Sequence, residues 1–403
     1  MLTAIEVKPD VYWVGGLDWN ARSFHGYTTE DGITYNAYLI MDEKVTLIDT
    51  TKAVYADELL QRISNIVDPA KIDVIIANHI EMDHSGAIPA VLEVAKDAQV
   101  YASEPAGVRE LAAHFGIEGD RVHGVKTGDT LSIGKRELTF VQTAMVHWPD
   151  NMVTYSPYDK TLFSNDAFGQ HFASGPRFDD EVDYHEVMLQ AKKYYANIVQ
   201  PYGPQTDKAV AAVREIGLEN IELIAPSHGV CWRTHIADVI AQYEHWCKGE
   251  VVERAIIAYD SMWGSTDKIA HAIADGFMAR SIPTKLMDLK VNHASDIMMD
   301  MLDAKYVCVG SPTLNSQMLP TVAAFLTYMR GLSPKNAHRV GLAFGSYGWA
   351  PLGPKNVAKV LEETGFNMPV ETVAMNWIPS QEDLDAIRDK VADLIEAGLA
   401  LNE

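Results

Sequence analysis

Short runs of apolar residues, broken by turns, dominate the first part of the chain. Those rich in β-branched and aromatic residues predict strands at 36–41, 45–49, 74–77, 100–102 and 138–143. Several are apolar at every position, which is typical of strands buried on both faces. Between them, 55–66 and 87–95 follow the spacing of amphipathic helices.

The pattern continues to about residue 225, with more strands and longer helices. Further strands are predicted at 153–155, 161–164 and 221–225, and helices at 182–198 and 207–216. This number of strands is enough for two sheets, so the pattern indicates a mixed α/β domain.

Beyond residue 250 strands and helices alternate regularly. Strands are predicted at 255–260, 284–289, 306–310, 339–345 and 370–375, and a last helix begins at about residue 381. Such alternation with short loops predicts a doubly wound parallel sheet. The segment 245–253 is the natural boundary, so we predict two domains, 1–249 and 250–403.

Charge excludes one class of function. The 33 Lys and Arg residues against 55 Asp and Glu give a formal net charge of -22. Nucleic-acid binding depends on neutralising phosphates, so we expect no nucleic-acid partner. The same balance disfavours anionic membrane surfaces and leaves room for bound cations.

Cysteine usage and apolar runs indicate a cytoplasmic protein. The three cysteines are Cys231, Cys247 and Cys308, a sparse set that forms no disulfide framework and no C-x-x-C pair. The N-terminus lacks a signal-peptide pattern. No run approaches the roughly 20 apolar residues of a membrane span, so we expect no membrane association.

Potential metal ligands are concentrated directly after one buried strand. The segment 79–84 reads His-Ile-Glu-Met-Asp-His, with four ligand-type residues: His79, Glu81, Asp83 and His84. Three further ligand-type residues follow later strands: His147, Asp166 and His228. Strand ends gather loops on one rim of a sheet, so these seven side chains predict a metal site.

This pattern resembles a known motif with one informative change. The part of the chain up to residue 249 resembles the metallo-β-lactamase fold, whose motif is H-x-H-x-D-H, but here Glu81 replaces the second His. A carboxylate in place of an imidazole makes the site harder and more anionic, which suits iron or manganese better than zinc. The H-x-E-x-D-H form is characteristic of flavodiiron proteins, and the whole chain resembles that family.

The resemblance implies a role for each ligand. One iron would be held by His79, Glu81 and His147. The other would be held by Asp83, His84 and His228, with Asp166 bridging the pair. The His84 position turns away from the metal in some members. Two further residues, His25 and Tyr195, would lie near the irons and assist catalysis as proton donors.

Three loops of the second domain follow strands and are candidates for a flavin site. Their residues are Ser261, Met262, Trp263, Gly264, Ser265 and Thr266; Ser311, Pro312, Thr313, Leu314 and Asn315; and Ser346, Tyr347, Gly348 and Trp349. Hydroxyl and N–H groups at a helix N-terminus bind anions, and the first loop lacks the Lys of a nucleoside-triphosphate loop. FMN therefore fits better than ATP. Its ring would lie between the second and third loops, whereas Trp263 is expected to pack or dock.

Together, these features predict a two-domain oxidoreductase with two Fe and FMN. Its fold class would be α/β, with a metallo-β-lactamase-like αββα sandwich followed by a flavodoxin-like doubly wound parallel sheet. The resemblance implies reduction of O2 to water, of NO to N2O, or of both. It also implies rubredoxin as electron donor and a head-to-tail homodimer, or a dimer of dimers, in which one subunit's FMN faces the other's irons.

Two other functions stay open at this point. One is a zinc hydrolase of the metallo-β-lactamase superfamily with a fused flavodoxin-like domain, although Glu81 and the flavin argue against it. The other is an electron-transfer module with a vestigial metal site, against which the complete ligand set argues. Both O2 and NO would use the same ligands, so the pattern supports either substrate.

Overall fold

The computed structural model describes residues 2–333 and 336–401, which form two compact units. The first unit comprises Met1–His25, Thr29–Tyr194 and Tyr202–Cys247. The second comprises Gly26–Thr28, Tyr195–Pro201 and Lys248–Glu403. Two short segments from the first half of the chain therefore belong to the second unit. The predicted boundary between residues 249 and 250 stays a prediction.

Most elements before residue 250 are short. The strands are β1 (Ile5–Lys8), β2 (Val11–Trp13), β3 (Gly16–Asp18), β4 (Ser23–Phe24), β5 (Tyr27–Thr28), β6 (Ile33–Tyr35), β7 (Tyr38–Ile40), β8 (Val45–Ile48), β9 (Ile72–Ala77), β10 (Gln99–Ser103), β11 (Val122–Val125), β12 (Thr130–Ser132), β13 (Glu137–Gln142), β14 (Met152–Ser156), β15 (Thr161–Asn165) and β16 (Leu223–Pro226). The helices are α1 (Ala56–Ser64), α2 (Met82–Ser85), α3 (Ile88–Val94), α4 (Ala106–Phe115), α5 (Tyr184–Tyr194), α6 (Gly203–Ile216) and α7 (Ile236–Cys247). The helix predicted at 182–198 ends earlier, because α5 gives way at Tyr195–Val199 to a π-helix.

Two sheets form the centre of the first unit. The larger has the strand order β1-β2-β7-β8-β9-β10-β11, and the smaller has the order β12-β13-β14-β15-β16. Apolar side chains from both sheets share one core, including Ile40 and Ile76 from the larger sheet and Phe140 and Phe163 from the smaller. Burial of this shared core holds the sheets face to face.

Helices cover both outer faces of this pair of sheets. Leu59, Val91 and Leu111, from α1, α3 and α4, pack in a second core behind the larger sheet. On the other side, Tyr243 of α7 accepts a hydrogen bond from the backbone N–H of Phe168, just beyond β15. The predicted αββα sandwich is confirmed.

The second unit contains one parallel sheet with helices on both faces. Its elements from residue 250 onward are β17 (Val252–Tyr259), α8 (Ser265–Met278), β18 (Thr284–Asp288), α9 (Ala294–Met301), β19 (Ala304–Gly310), α10 (Pro320–Leu332), β20 (Val340–Tyr347), α11 (Leu352–Glu363), β21 (Val373–Asn376) and α12 (Gln381–Ala400). The strand order is β18-β17-β19-β20-β21, and every pairing is parallel. This is the flavodoxin-like order, so the predicted doubly wound sheet is confirmed.

Side chains on the two faces of this sheet form separate cores. Ile269 and Phe277 of α8 pack with Val391 of α12 on one face. Helices α9, α10 and α11 supply the other core. None of the helices in the described part of the chain combines the length and the apolar character that crossing a membrane requires.

Candidate functional site

A tightly fixed turn after β9 carries the first four candidate ligands. Asp49 Oδ1 accepts a hydrogen bond of 2.7 Å from the Asn78 backbone N–H, which anchors the end of the strand. Ser85 Oγ donates to the carbonyls of Ile80 and Glu81 at 2.6 and 2.8 Å and closes the turn. His79 and Glu81 lie between β9 and α2, Asp83 and His84 lie in the first turn of α2, and all four are buried.

The structure brings His79, Glu81, His147 and Asp166 together as one buried group. One candidate ligand atom from each lies within 4.8 Å of the others. Nε2 of His147 is 3.1 Å from Glu81 Oε2 and 3.3 Å from Asp166 Oδ2. Nε2 of His79 is 3.4 Å from Glu81 Oε2. Two imidazoles and two carboxylates thus surround a single point.

A second buried group contains Asp83, His84 and His228, with its candidate ligand atoms again within 4.8 Å of one another. His84 Nε2 lies 3.3 Å from Asp83 Oδ1, and His228 Nε2 lies 3.3 Å from Asp83 Oδ2. The His84 ring therefore faces into the group.

Asp166 joins the two groups through its two oxygens. Its Oδ2 faces His147 at 3.3 Å and His79 at 3.6 Å. Its Oδ1 faces His84 at 3.1 Å and His228 at 3.6 Å. A carboxylate in this position has the geometry of a bridging ligand between two cations.

The polar atoms at the centre of the site lack hydrogen-bond partners among the described residues. They are His79 Nε2, both carboxylate oxygens of Asp83, both ring nitrogens of His84 and Asp166 Oδ2. Buried polar atoms without partners are costly, and such a cluster in one place indicates cations that complete the site. Four imidazoles and three carboxylates fit two metal ions, and the carboxylates favour iron.

The charges of the two groups are mutually dependent. Burial raises the pKa of Asp166, but His84 and His147 outweigh that effect and hold it well below its ordinary value. Burial lowers the pKa of His84, but Asp83 and Asp166 outweigh that effect and raise it to about 9. A pKa of about 9 keeps a proton on His84 near neutral pH in the metal-free protein, and a metal ion would displace it on binding.

The orientation of two ligating rings is fixed by partners that the sequence pattern did not reveal. His79 Nδ1 lies 2.9 Å from Asp150 Oδ2, and His228 Nδ1 donates to the Thr34 carbonyl at 2.6 Å. Both bonds direct Nε2 toward the site. For Asp150, the only signal was a carboxylate three residues after His147.

The two predicted proton donors lie in different units. His25 belongs to the first unit, where its Nε2 is 2.5 Å from Glu81 Oε1 and its side chain is 57% exposed. The hydrogen bond to Glu81 raises the pKa of His25. Tyr195 is buried at the start of the π-helix in the second unit, and its catalytic role stays a prediction.

A histidine missed by sequence reasoning lies beside the second group. The ring of His171 packs edge-on against His228, with 4.6 Å between centroids, and also against Phe24. Burial and the neighbouring His228 hold the pKa of His171 well below its ordinary value, so this imidazole is neutral. No local ligand-like spacing marks it in the sequence.

The second unit has an open cavity of about 280 Å³ at the carboxyl edge of its sheet. Residues from all three predicted loops line it: Met262, Trp263, Ser265, Pro312, Thr313, Ser346, Tyr347 and Gly348. Trp377 and Ile378, which follow β21, complete the wall and were not predicted. Ligands of doubly wound sheets bind at this edge.

The other predicted loop residues lie outside the lining of this cavity. Three of them support the loops: Ser261 Oγ accepts from the Gly264 N–H at 3.1 Å, and Thr266 Oγ1 lies 2.9 Å from Ser346 Oγ. The remaining residues are Ser311, Leu314, Asn315 and Trp349, of which Trp349 is 90% exposed.

The first loop is shaped for an anion and the rim for an aromatic ring. Gly264 precedes α8 with a φ of +83°, a conformation that favours glycine, and leaves the helix N-terminus open beside Ser265. Helix N-termini attract phosphate. Trp263 and Trp377 are 94% and 62% exposed, so flat apolar surface is available at the rim. These features fit FMN.

Comparison with known proteins finds a matching family for each part of the chain. Residues 33–229 match the family described as ODP family beta lactamase, and residues 257–390 match the flavodoxin family. The chain is 44% identical to a nitric oxide reductase of Moorella thermoacetica over 391 residues, covering 95% of this chain and 96% of the relative.

Two solved structures are similar over the full length. Rubredoxin oxygen:oxidoreductase of Desulfovibrio gigas has a TM-score of 0.95 and 40% identity, covering 99% of this chain and 100% of its own. The flavodiiron protein of Giardia intestinalis has a TM-score of 0.95 and 34% identity, covering 100% of this chain and 98% of its own. The fold, the two ligand groups and these similarities together show that the chain belongs to the flavodiiron protein family.

Proposed function

We propose that this protein reduces O2 to water, NO to N2O, or both, at a di-iron centre, with electrons that pass through FMN. The metal domain would be residues 1–249 and the FMN domain residues 250–403. The observation that carries the proposal is the pair of buried ligand groups that share Asp166. A relative named nitric oxide reductase and one named rubredoxin oxygen:oxidoreductase support both substrates.

The side chains assigned to the metals provide a fixed pocket of four imidazoles and three carboxylates. His79, Glu81 and His147 would hold one iron, and Asp83, His84 and His228 the other, with Asp166 between them. When bound, the iron pair would supply the redox-active sites at which a diatomic molecule is reduced. The seven side chains are almost completely buried, so they would exclude water and stay in place while the substrate enters.

His25 is suited to carry protons between solvent and the centre. Its Nε2 lies 2.5 Å from Glu81 Oε1, while more than half of its side chain is exposed. Reduction of O2 to water consumes protons, and an imidazole in contact with both solvent and a ligand can exchange them. We keep Tyr195 as a second proposed donor.

The flavin loops would bind FMN through its phosphate and its ring. Backbone N–H groups at the start of α8, with Ser265, are placed for the phosphate, and the buried Thr266 would hold this loop against Ser346. Tyr347 and Trp377 line the cavity wall and would contact the ring. FMN when bound would convert between two-electron and one-electron chemistry.

Iron fits this site better than zinc. Zinc hydrolases rely on imidazole-rich sites, whereas Glu81 adds a carboxylate to a set that already contains Asp83 and Asp166. A flavin also has no role in hydrolysis. The zinc-hydrolase alternative therefore explains neither Glu81 nor the flavodoxin-like second unit.

Electron delivery is proposed to come from rubredoxin and to cross between subunits of a head-to-tail dimer. The name of the Desulfovibrio gigas relative supports the donor. The rim of the flavin cavity exposes Trp263, Trp377 and Ile378 by 94%, 62% and 72%. Large exposed apolar groups clustered in this way are typical of protein contact sites.

The activity is tested on anaerobically reduced holoprotein with rubredoxin as donor. Consumption of O2 and of NO, with N2O as product, is expected for the wild type and is expected to fall strongly in Asp166→Asn. A matched control is Asp180→Asn, an exposed carboxylate outside both groups. Hydrolysis of thioester or lactam substrates without a reductant, and no consumption of either gas, would replace this proposal with the hydrolase.

Subunit complementation tests the head-to-tail arrangement. Asp166→Asn damages only the proposed metal site, and Ser265→Glu places a negative charge where the phosphate would bind. A heterodimer isolated with two affinity tags should regain part of the activity, because one intact flavin site faces one intact metal site. A heterodimer as inactive as its parents, or a fully active monomer in light scattering, contradicts the arrangement.

A further inference from the structure

A buried carboxylate lies at the base of the loop that is proposed to bind the FMN phosphate. Asp260 directly follows β17, precedes the loop 261–264 and is 6% exposed. A phosphate group is anionic, so a carboxylate beside its site repels it unless another charge cancels the repulsion. A carboxylate kept at this position therefore needs both a structural task and a counter-charge, and the contacts of Asp260 supply the two.

Both oxygens of the Asp260 carboxylate accept hydrogen bonds from the second unit. Oδ1 accepts from the Ser261 backbone N–H at 2.6 Å, and Oδ2 accepts from Thr321 Oγ1 of α10 at 2.5 Å. The backbone N–H of Asp260 donates to the Gly310 carbonyl, at the end of β19, at 3.2 Å. The carboxylate thus ties the first residue of the loop to a neighbouring helix.

The constraint on Ser261 extends to the N-terminus of α8. Ser261 Oγ accepts from the Gly264 N–H at 3.1 Å, and Gly264 immediately precedes the helix. Ser265, the first residue of α8, lines the flavin cavity. One chain of contacts therefore runs from the Asp260 carboxylate to the backbone that is proposed to bind the phosphate.

The counter-charge of Asp260 is the ammonium group of Lys290. Lys290 Nζ lies 2.7 Å from Asp260 Oδ1, 3.0 Å from Asp288 Oδ2 and 3.3 Å from the Ser261 carbonyl oxygen. Burial raises the pKa of Asp260, but its hydrogen bonds, above all the one from Lys290, outweigh that effect and lower it. Asp260 is therefore an ionised carboxylate paired with a cation.

We propose that Asp260 is a positioning residue for FMN: its carboxylate fixes Ser261 and thereby the backbone that binds the phosphate, and Lys290 cancels the repulsion between this carboxylate and the phosphate. The inference rests on the proposed FMN site and adds to it two residues outside the cavity lining. The two residues have different tasks. Asp260 acts through its hydrogen bonds, whereas Lys290 is required because Asp260 is charged.

The experiment titrates the flavin-depleted full-length protein with FMN and with riboflavin, which has the same ring and no phosphate. Loss of a phosphate-positioning residue weakens FMN binding alone, whereas a damaged fold weakens the binding of both flavins. Asp260→Ala removes the acceptor of three hydrogen bonds. The dissociation constant should rise by about tenfold for FMN and by less than about twofold for riboflavin. Asp260→Asn keeps an oxygen that accepts from Ser261, so the FMN constant should rise by no more than about threefold.

Lys290→Met tests the counter-charge. Without the ammonium group the Asp260 carboxylate is uncompensated, so the FMN dissociation constant should rise by about fivefold and that of riboflavin by less than about twofold. Addition of Asp260→Asn to this variant removes the charge that Lys290 balanced, and should restore most of the FMN affinity. If circular dichroism shows that Asp260→Ala does not fold, this pair of variants decides the matter alone.

Asp300 and Lys285 form the matched control pair. Asp300 of α9 is 6% exposed, its Oδ1 accepts from Lys285 Nζ at 2.6 Å, and neither residue lines the flavin cavity. Asp300→Ala removes a comparable ion pair and should leave the ratio of the two flavin dissociation constants at its wild-type value. The phosphorus NMR signal of bound FMN is a second readout, and it should shift in Asp260→Ala but not in Asp300→Ala.

The contrary outcomes are distinguishable from one another. Equal weakening of FMN and riboflavin binding in Asp260→Ala, or an unshifted phosphorus signal, means that Asp260 does not position the phosphate. No recovery of FMN affinity when Asp260→Asn is added to Lys290→Met means that Lys290 does not act through the charge of Asp260. A wild-type protein that binds FMN no more tightly than riboflavin has no phosphate site at this loop, and one that binds neither flavin overturns the proposed function itself.

Discussion

His84 Nε2 lies 3.1 Å from Oδ1 of Asp166, and the His84 side chain is only 1% exposed. The ring is therefore turned into the second ligand group, beside the carboxylate that joins this group to the first. In a site with this ring turned away, Asp83 and His228 alone would face Asp166. This relationship makes His84 part of the proposed iron site and leads directly to a test.

Replacement of His84 by Ala should empty the second metal position and spare the first. The first group, with His79, Glu81 and His147, stays complete, so iron content should fall from about two to about one per chain. Metal analysis of the purified variant checks this, and FMN content should not change. His185→Ala, at an exposed position of α5, is the control. Two firmly bound irons in His84→Ala would mean that His84 is not a ligand.

Glu81→His should change the metal preference of the site. The substitution restores the imidazole-rich motif of zinc hydrolases and removes one hard oxygen ligand. When the metal-free protein is offered equal Fe2+ and Zn2+ without oxygen, the bound zinc-to-iron ratio should rise by about tenfold or more. Glu81→Gln removes the charge without adding an imidazole and should show no such rise. An unchanged ratio in Glu81→His would remove the argument that Glu81 selects iron.

Thr266→Val should weaken FMN binding with little effect on folding. Thr266 is fully buried at the start of α8, and its Oγ1 lies 2.9 Å from Ser346 Oγ. Val keeps the shape and removes the hydroxyl, so the dissociation constant for FMN should rise by about tenfold, the effect of roughly 1.4 kcal/mol. Quenching of FMN fluorescence during titration measures it. Thr327→Val, which removes an exposed hydroxyl on α10, is the control and should not change FMN binding. Equal weakening of FMN binding by both substitutions would mean that the effect comes from the stability of the fold and not from the loop.

Trp377 should matter more for the flavin than Trp349. Trp377 lines the cavity and packs on Gly348, where an added Cβ would lie 3.0 Å from its ring. Trp349 is 90% exposed and lies outside the lining. We expect Trp377→Ala to raise the FMN dissociation constant by several-fold, roughly the effect of one stacked aromatic ring, and Trp349→Ala to change it less. The reverse order in the same fluorescence titration would mean that Trp349 contributes more to flavin binding than Trp377.

The metal ligands could be predicted from sequence because most of the information is local. Four of them lie within 79–84 behind a strand whose apolar run is unmistakable, and the other three each follow a strand. Asp150 could not be predicted in the same way. Its contact with His79 depends on how the loop after β13 packs against the end of β9, and no spacing along the chain records that contact.

Prediction of the fold was limited in the same way, because long regular elements leave a local pattern and short strands do not. Strands β17 to β20 contain between five and eight residues, and their apolar runs predicted a doubly wound sheet. Strands β1 to β6 contain between two and four residues, too few for a period of two to stand out. Gly26–Thr28 and Tyr195–Pro201 belong to the second unit through contacts with residues far along the chain. Asn197 Nδ2 donates to the Ser295 carbonyl at 3.1 Å, and the Thr28 N–H donates to Ser295 Oγ at 3.2 Å. No local pattern predicts such contacts.

The most direct test of the central claim is the metal and flavin content of protein purified without added metal. The account predicts two irons and one FMN per chain, because two complete ligand groups share Asp166 and one cavity is shaped for the flavin. Zinc in place of iron, retained in protein from its native source, would contradict the reductase and favour the hydrolase.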